Sequence, residues 1–278
     1  MSKILFDSHT HINDESLNDS EREALIRDIE ASDILYVMDI GANIPMSKLA
    51  VEDSKKLPGI YAAVGVHPSD TLDMIEEDIE ILRELSKDEK VKAIGEIGLD
   101  FHYDDTEPVS QEKWFREQIR LANELKLPIS IHSRDADQKT MDILKEEGAF
   151  SKERKAYFPK RMGANGLEDD ARVLLHCFSG SSELAKEYVK LGATISIAGP
   201  VTYKNNRKTI EVVETIPLEY LLVETDAPYL TPEPYRGKRN KAPFVEFTAR
   251  KVAEIKGLSY EEVAKKTLEN GKHFFDIK

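Results

Sequence analysis

Short apolar runs alternate along the chain with longer stretches in which apolar residues recur every three or four positions. The runs fall at 4–6, 34–40, 60–66, 93–97, 129–132, 173–177, 193–197 and 220–223 and read as eight strands. Between them, the three-and-four spacing predicts helices such as 20–31, 76–85, 111–125, 135–146 and 183–191. The alternation is βα throughout. Eight such units on roughly 250 residues suggest a closed (β/α)8 TIM barrel, although a doubly wound open sheet would give a similar string. The expected domain is single and spans 1–278.

Two stretches lie outside this alternation. The tail from Phe244 to Phe275 carries two further helical segments, the second opening on the capping box Ser259-Tyr260-Glu261-Glu262, and is expected to pack outside the barrel. Residues 149–171, "AFSKERKAYFPKRMGANGLEDDA", are polar, first basic and then acidic, with Pro159, Gly163 and Gly166 as breakers. Helix-to-strand loops of a barrel lie on the face opposite the active site, so this segment is expected to be a surface insertion.

Composition narrows the class. Hydrophobic residues make up 40% and charged residues 33% of the 278, which excludes general disorder. A net charge of -13 argues against a broad basic surface for duplex DNA but leaves room for a local grip on a few phosphates. Charge interrupts every apolar stretch well before the roughly 18 residues of a membrane span, and Met1-Ser2-Lys3 leads into no signal-like apolar region. Cys177 is the one cysteine and forms no internal disulfide. The expectation is a cytoplasmic protein with no membrane association and no obligatory protein partner.

In a barrel the chemistry sits at the carboxyl ends of the strands. The first strand runs into His9 and His11, the third into His67, the fourth into Glu96, the fifth into His132, the sixth into His176, and the eighth into Glu224 and Asp226. One histidine in such a place is usually a hydrogen-bonded core or rim residue; the coincidence across strands changes the reading. Side chains two apart on a strand share a face, so His9 and His11 can hold one ion from one strand end. With Glu96, His132, His176 and Asp226 the donors become four imidazoles and two carboxylates, a set that suits Zn, Mn, Fe or Ni, with Mg binding more weakly. Six donors exceed the needs of one tetrahedral ion with an open position. Two divalent metal ions sharing a carboxylate use them all, in the arrangement that activates water against phosphate esters.

Eight motifs, in order along nearly the whole chain, carry a resemblance: "FDSHTHIND" (6–14), "GVHP" (65–68), "GEIGLDFHY" (95–103), "IHSRDA" (131–136), "LLHCFSG" (174–180), "IAGPVTY" (197–203), "VETDAPYLTP" (223–232) and "RGKRN" (236–240). The chain resembles the TatD family of metal-dependent hydrolases and deoxyribonucleases, within the amidohydrolase-like barrels. The resemblance implies His9, His11 and Asp226 on one ion, His132 and His176 on the other, and Glu96 bridging. It also implies hydrolysis of ester bonds, typically by exonuclease (3'-5') or endonuclease action on DNA or another nucleic-acid ester. Lys241-Ala242-Pro243 departs from the family pattern, which usually has an acidic residue before proline there, and puts substrate preference in question.

Within this reading Asp226 and Glu96 are the catalytic candidates, Asp226 both as ligand and as acceptor of the water's proton. Phosphoryl transfer needs cationic partners, and Arg134, Arg236 and Lys238 are the candidates. His67 and Tyr229 are read as substrate-facing, Tyr229 as a stacking surface. Asp7 and Asp100 are of the type that orients a metal-bound imidazole. Cys177 is expected to point away from the site as a buried thiol. The competing functions are deacylation of D-aminoacyl-tRNA, C–N amidohydrolysis, which often uses a lysine where this chain has Glu96, and a non-catalytic metal-binding scaffold.

Overall fold

The computed structural model describes residues 3–103 and 107–278. Ten strands are present among the described residues: β1 (Leu5–Thr10), β2 (Ile34–Ile40), β3 (Ile60–Val64), β4 (Val91–Asp100), β5 (Ile129–Arg134), β6 (Arg161–Gly163), β7 (Gly166–Glu168), β8 (Val173–Leu175), β9 (Thr194–Ile197) and β10 (Leu221–Val223). Ten α-helices accompany them among the described residues: α1 (Asp19–Ala31), α2 (Ile44–Asp53), α3 (Glu76–Leu85), α4 (Pro108–Leu125), α5 (Asp137–Glu146), α6 (Lys152–Lys155), α7 (Ser182–Lys190), α8 (Arg207–Thr215), α9 (Val245–Lys256) and α10 (Tyr260–Phe274). Eight parallel strands form one sheet in the order β1-β2-β3-β4-β5-β8-β9-β10. Beyond β10 the chain returns to β1: the Asp226 amide donates to the His9 carbonyl at 2.9 Å and the His11 amide to that of Ala227 at 2.8 Å. The sheet is thereby curled into a nearly closed TIM barrel rather than an open one.

All eight expected strands are present, with shifted ends. β1 continues through the polar Asp7-Ser8-His9-Thr10 because that segment pairs with β2, though with register shifts between Asp7 and Thr10. β4 runs three residues past its apolar run, to Asp100, alongside β5. That close approach needs Gly98, whose φ is +150 and where any Cβ would strike the His132 carbonyl oxygen. β8 ends early, at Leu175.

The apolar residues divide into two layers. One lies between strands and helices and includes Val37, Ile60, Ile94, Ile129 and Val173 packed with Trp114, Phe115, Leu144 and Val252. The other joins Phe6, Met38, Ile40, Ala63, Ala93, Leu174 and Leu222 to Phe274, Phe275 and Ile277. The tail therefore departs from the expected wholly external position: α10 starts on its Ser259–Glu262 capping box, but its last turn and the residues after it join the strand residues of this second cluster. Gly271 permits this, since a Cβ there would run into the Phe6 ring.

Residues 149–171 form α6 and the antiparallel hairpin β6–β7. Only part of the segment is surface. Arg154 is buried and donates to the Ala171 and Leu127 carbonyls at 2.9 and 2.8 Å and to Asn123 Oδ1 at 2.8 Å, while Arg161 reaches the Ala193 carbonyl at 2.9 Å. These bonds satisfy carbonyls where the chain enters or leaves helices and strands. Its exposed residues include the cross-strand pair Met162 and Leu167. Among the described residues, no helix is long and apolar enough to cross a membrane.

Candidate active site

The strand ends bring six side chains together, and Glu96 of β4 is their centre. Its Oε2 lies 3.4 Å from His9 Nε2 and 3.7 Å from His11 Nε2. Its Oε1 lies 2.9 Å from His132 Nδ1 and 2.8 Å from His176 Nε2. Each carboxylate oxygen thus faces its own pair of imidazoles. Asp226 joins the first pair, with Oδ1 at 3.5 Å from His11 Nε2 and 3.9 Å from His9 Nε2. On the other side, His176 Nε2 and His132 Nδ1 are 3.4 Å apart.

Neighbouring backbone and carboxylates fix which nitrogen each ring presents. His11 Nδ1 donates to the Ile40 carbonyl at 2.8 Å, which leaves Nε2 to face Asp226 and Glu96. His176 Nδ1 donates to Glu224 Oε1 at 3.2 Å, and His132 Nε2 donates to Asp100 Oδ2 at 3.0 Å. Such outer acceptors orient a ring and strengthen it as a donor to metal. The Glu224 partner was missed as a role in the sequence, although the residue sits at its strand end. Fully buried, it also accepts the Cys177 amide at 2.6 Å, and no local spacing signals a contact across 48 residues.

Charge balances within the cluster. Burial opposes ionisation of Glu96, but the His176 imidazolium and the hydrogen bond from His132 hold its carboxyl well below the usual range. Asp226 is likewise lowered, by His11 and His176 against the cost of burial. Burial also opposes protonation of His11, yet Asp226 and Glu96 push it up to about 9. His176 and His132 are raised by their carboxylate partners despite burial, whereas burial and the nearby His176 keep His9 low. An ion entering this site displaces protons from imidazoles, so its affinity falls as pH falls. The cluster fits divalent metal well. His9 Nε2 is buried without a hydrogen-bond partner among the described residues, aimed between Glu96 and Asp226, and His9, His11 and Asp226 converge as donors.

The other expected site residues are placed unevenly around this centre. Asp100 touches His132 as the sequence predicts. Asp7 does not use its carboxylate on a ring: it accepts from the Thr225 amide at 2.9 Å and hydroxyl at 2.6 Å and so pins the segment carrying Asp226 to β1. His67 Nε2 stands 3.7 Å from Glu96 Oε1. The exposed Tyr229 directs its hydroxyl to Asp14 at 2.9 Å, with its ring edge-on to His11 at 6.3 Å. Arg134 lies over the Tyr103 ring at 5.3 Å, Arg236 over Tyr203 at 4.4 Å and Lys238 over Tyr235 at 5.3 Å. None of these three cations forms a salt bridge among the described residues, whereas Arg239 faces Asp14 at 3.7 Å. Cys177 departs from expectation. It is half-buried, it lies beyond the end of β8 with φ 43, its amide donates to Glu224 Oε1, and burial together with Asp226, Glu224 and Glu96 raises its thiol.

Comparison with known proteins matches the family described as TatD related DNase over residues 6–276. The chain belongs to the TatD family. It is 43% identical over 274 residues to YabD of Bacillus subtilis, described as an uncharacterised metal-dependent hydrolase, covering 99% of this chain and 100% of YabD. It is 33% identical over 281 residues to YcfH of Escherichia coli, described in the same words, covering 99% of this chain and 96% of YcfH. Among solved structures, the TatD homologue YjjV of Escherichia coli superimposes over 100% of both chains with a TM-score of 0.85 and 26% identity. The TatD chain is thus a metal-dependent hydrolase on a TIM barrel.

Proposed function

We propose that the protein hydrolyses phosphodiester bonds in nucleic acid, removing nucleotides from a 3' end of DNA, with two divalent ions held by its strand-end cluster. The observation that carries this reading is the division of Glu96, one oxygen toward His9 and His11 and the other toward His132 and His176. In this assignment His9, His11 and Asp226 would hold one ion and His132 and His176 the second, with Glu96 able to serve both. Divalent ions so placed supply an activated water at neutral pH and polarise an ester oxygen. Asp226 is ionised and its side chain is 14% exposed, the most open of the two carboxylates, which suits it to take the water's proton. Arg134, Arg236 and Lys238 are cations without carboxylate partners among the described residues and are assigned to the substrate's phosphates. Tyr229 offers an exposed ring beside His11.

The test uses metal-stripped protein reloaded separately with Mg, Mn or Zn. Each form is assayed on single-stranded DNA tagged at the 3' or the 5' end, on D-aminoacyl-tRNA, on a cyclic amide and on a simple phosphodiester. The expected result is metal-dependent loss of the 3' tag and stepwise shortening of the 5'-tagged strand. Turnover of D-aminoacyl-tRNA alone would move the assignment to deacylation, and turnover of the amide alone to C–N hydrolysis. No turnover of any ester with any of the three metals would overturn the reading.

A further inference from the structure

His67 stands within the same cluster as the six assigned donors but is wired differently. It caps the short 3-10 turn at 68–70, and its Nδ1 accepts the Ser69 amide proton at 3.1 Å. A neutral imidazole has one lone pair and one N–H. With the lone pair committed to Ser69, the proton belongs on Nε2, and Nε2 is the atom that faces the site, 3.7 Å from Glu96 Oε1. The ring is held edge-on to His132, with centroids 4.5 Å apart and planes at 69°. Its backbone is fixed as well, the His67 amide donating to the Ala42 carbonyl at 2.7 Å.

We propose that His67 serves the reaction as a fixed neutral N–H donor to an oxygen of the scissile ester, beside the second ion. This rests on the hydrolase reading above. The alternative is a third metal ion, because His67, Asp100 and His132 offer ligand atoms within 4.8 Å of one another. Hydrogen bonding argues against it. His132 directs Nδ1 to Glu96 Oε1, so it can serve the second ion only while Nε2 keeps the proton that it gives Asp100. A third ion would need that Nε2 stripped and the Ser69 bond of His67 broken as well. A donor, by contrast, uses both rings as they stand. Donors preorganised toward an oxygen that gains charge in the transition state are worth about 10²–10³ in kcat each.

Three measurements test the assignment. Long-range proton–nitrogen NMR on histidine-labelled, metal-loaded wild type should show the His67 proton on Nε2, and a proton on Nδ1 would overturn the proposal. Titration of metal-stripped wild type and His67→Ala with Mn should give equal stoichiometry, whereas loss of one ion in the variant would make His67 a ligand. On the phosphodiester substrate, His67→Ala should lower kcat by about 10²–10³ with KM within about threefold. His67→Asn separates the cap from the donor, since Asn caps such turns well but is too short to reach the site. It should fold like wild type and remain as slow as His67→Ala; restored kcat in His67→Asn would show that only the cap mattered. If wild type hydrolysed no ester, the hydrolase reading would fall, while NMR and stoichiometry would still decide how His67 is wired.

Discussion

At the carboxyl ends of the strands, four imidazoles and the Asp226 carboxylate gather around Glu96, and the chain beyond β8 and β10 takes left-handed turns at Cys177 and Asp226. Away from that mouth, Phe6, Met38 and Leu222 meet Phe274, Phe275 and Ile277 in a purely apolar cluster. One region gathers charge that water would otherwise solvate, and the other gathers surface that water would expel. Stability and function are therefore held by different residues of the same strands: Phe6 packs into the apolar cluster while His9, three residues on, faces the ions' place. A barrel separates these tasks along its axis, so changes at one end should be read out separately from changes at the other.

The strongest way to sharpen this contrast is Glu96→Gln, which keeps the shape but removes the charge shared by both halves of the site. Turnover on the phosphodiester should fall at least about 10³-fold, beyond the roughly 10–100-fold expected for an outer partner of a metal ligand. The folded state should survive, as monitored by circular dichroism, and retained turnover would remove Glu96 from the centre of the mechanism. The opposite experiment is Phe275→Ala. The ring is 1% exposed, so its loss should cost about 3–5 kcal/mol in denaturant unfolding, while metal stoichiometry and kcat per folded molecule stay unchanged. An undiminished stability would mean that the tail is not part of the core.

A subtler probe lies behind the mouth. Asp39 accepts from the Ile12 amide and Asn13 Nδ2, both at 2.8 Å, and so holds the segment after His11. Burial, and after it the neighbouring Asp53, raises its carboxyl from the usual 3.8 to about 7. A folded-state pKa above the unfolded one means that the stabilising contribution is fully present below about pH 4 and is lost as pH rises through 7. Asp39→Asn, which does not titrate, should match metal-stripped wild type near pH 4 and exceed its Tm by a few degrees at pH 8. Parallel Tm curves across that range would show that the buried acid carries no such cost.

Much of this molecule is legible in the sequence because a barrel repeats one periodic pattern, and its chemistry is confined to the places where apolar runs end. His9, His11, Glu96, His132, His176 and Asp226 were all reachable from that rule, and the structure brings all six together. Less legible were contacts whose partners lie on other strands. Glu224 meets His176 only because β8 and β10 flank β9. Cys177 escapes strand alternation because β8 stops two residues before it. Asp7 looked suited to a histidine but the turn after β10 offers it Thr225 instead. Arg154 and Arg161 are charged residues in a breaker-rich segment, and their burial follows from exposed carbonyls elsewhere that the local sequence does not announce. The tail was periodic enough to be read as helix, but periodicity does not say against which layer its last turn will pack.

The contact between Phe6 and Phe275 has a consequence for how the chain is made. Phe6 leaves the ribosome about 270 residues before its partner, an interval on the order of 10–60 s at ordinary elongation rates. Throughout that interval the Phe6 ring lacks its aromatic partner, and until β10 is made the barrel wall beside β1 also lacks its final strand. Nascent chains stalled short of Phe275 should accordingly be sticky and protease-sensitive, and those stalled well beyond it compact. Any extension placed after Ile277 must leave that aromatic pair free to seat.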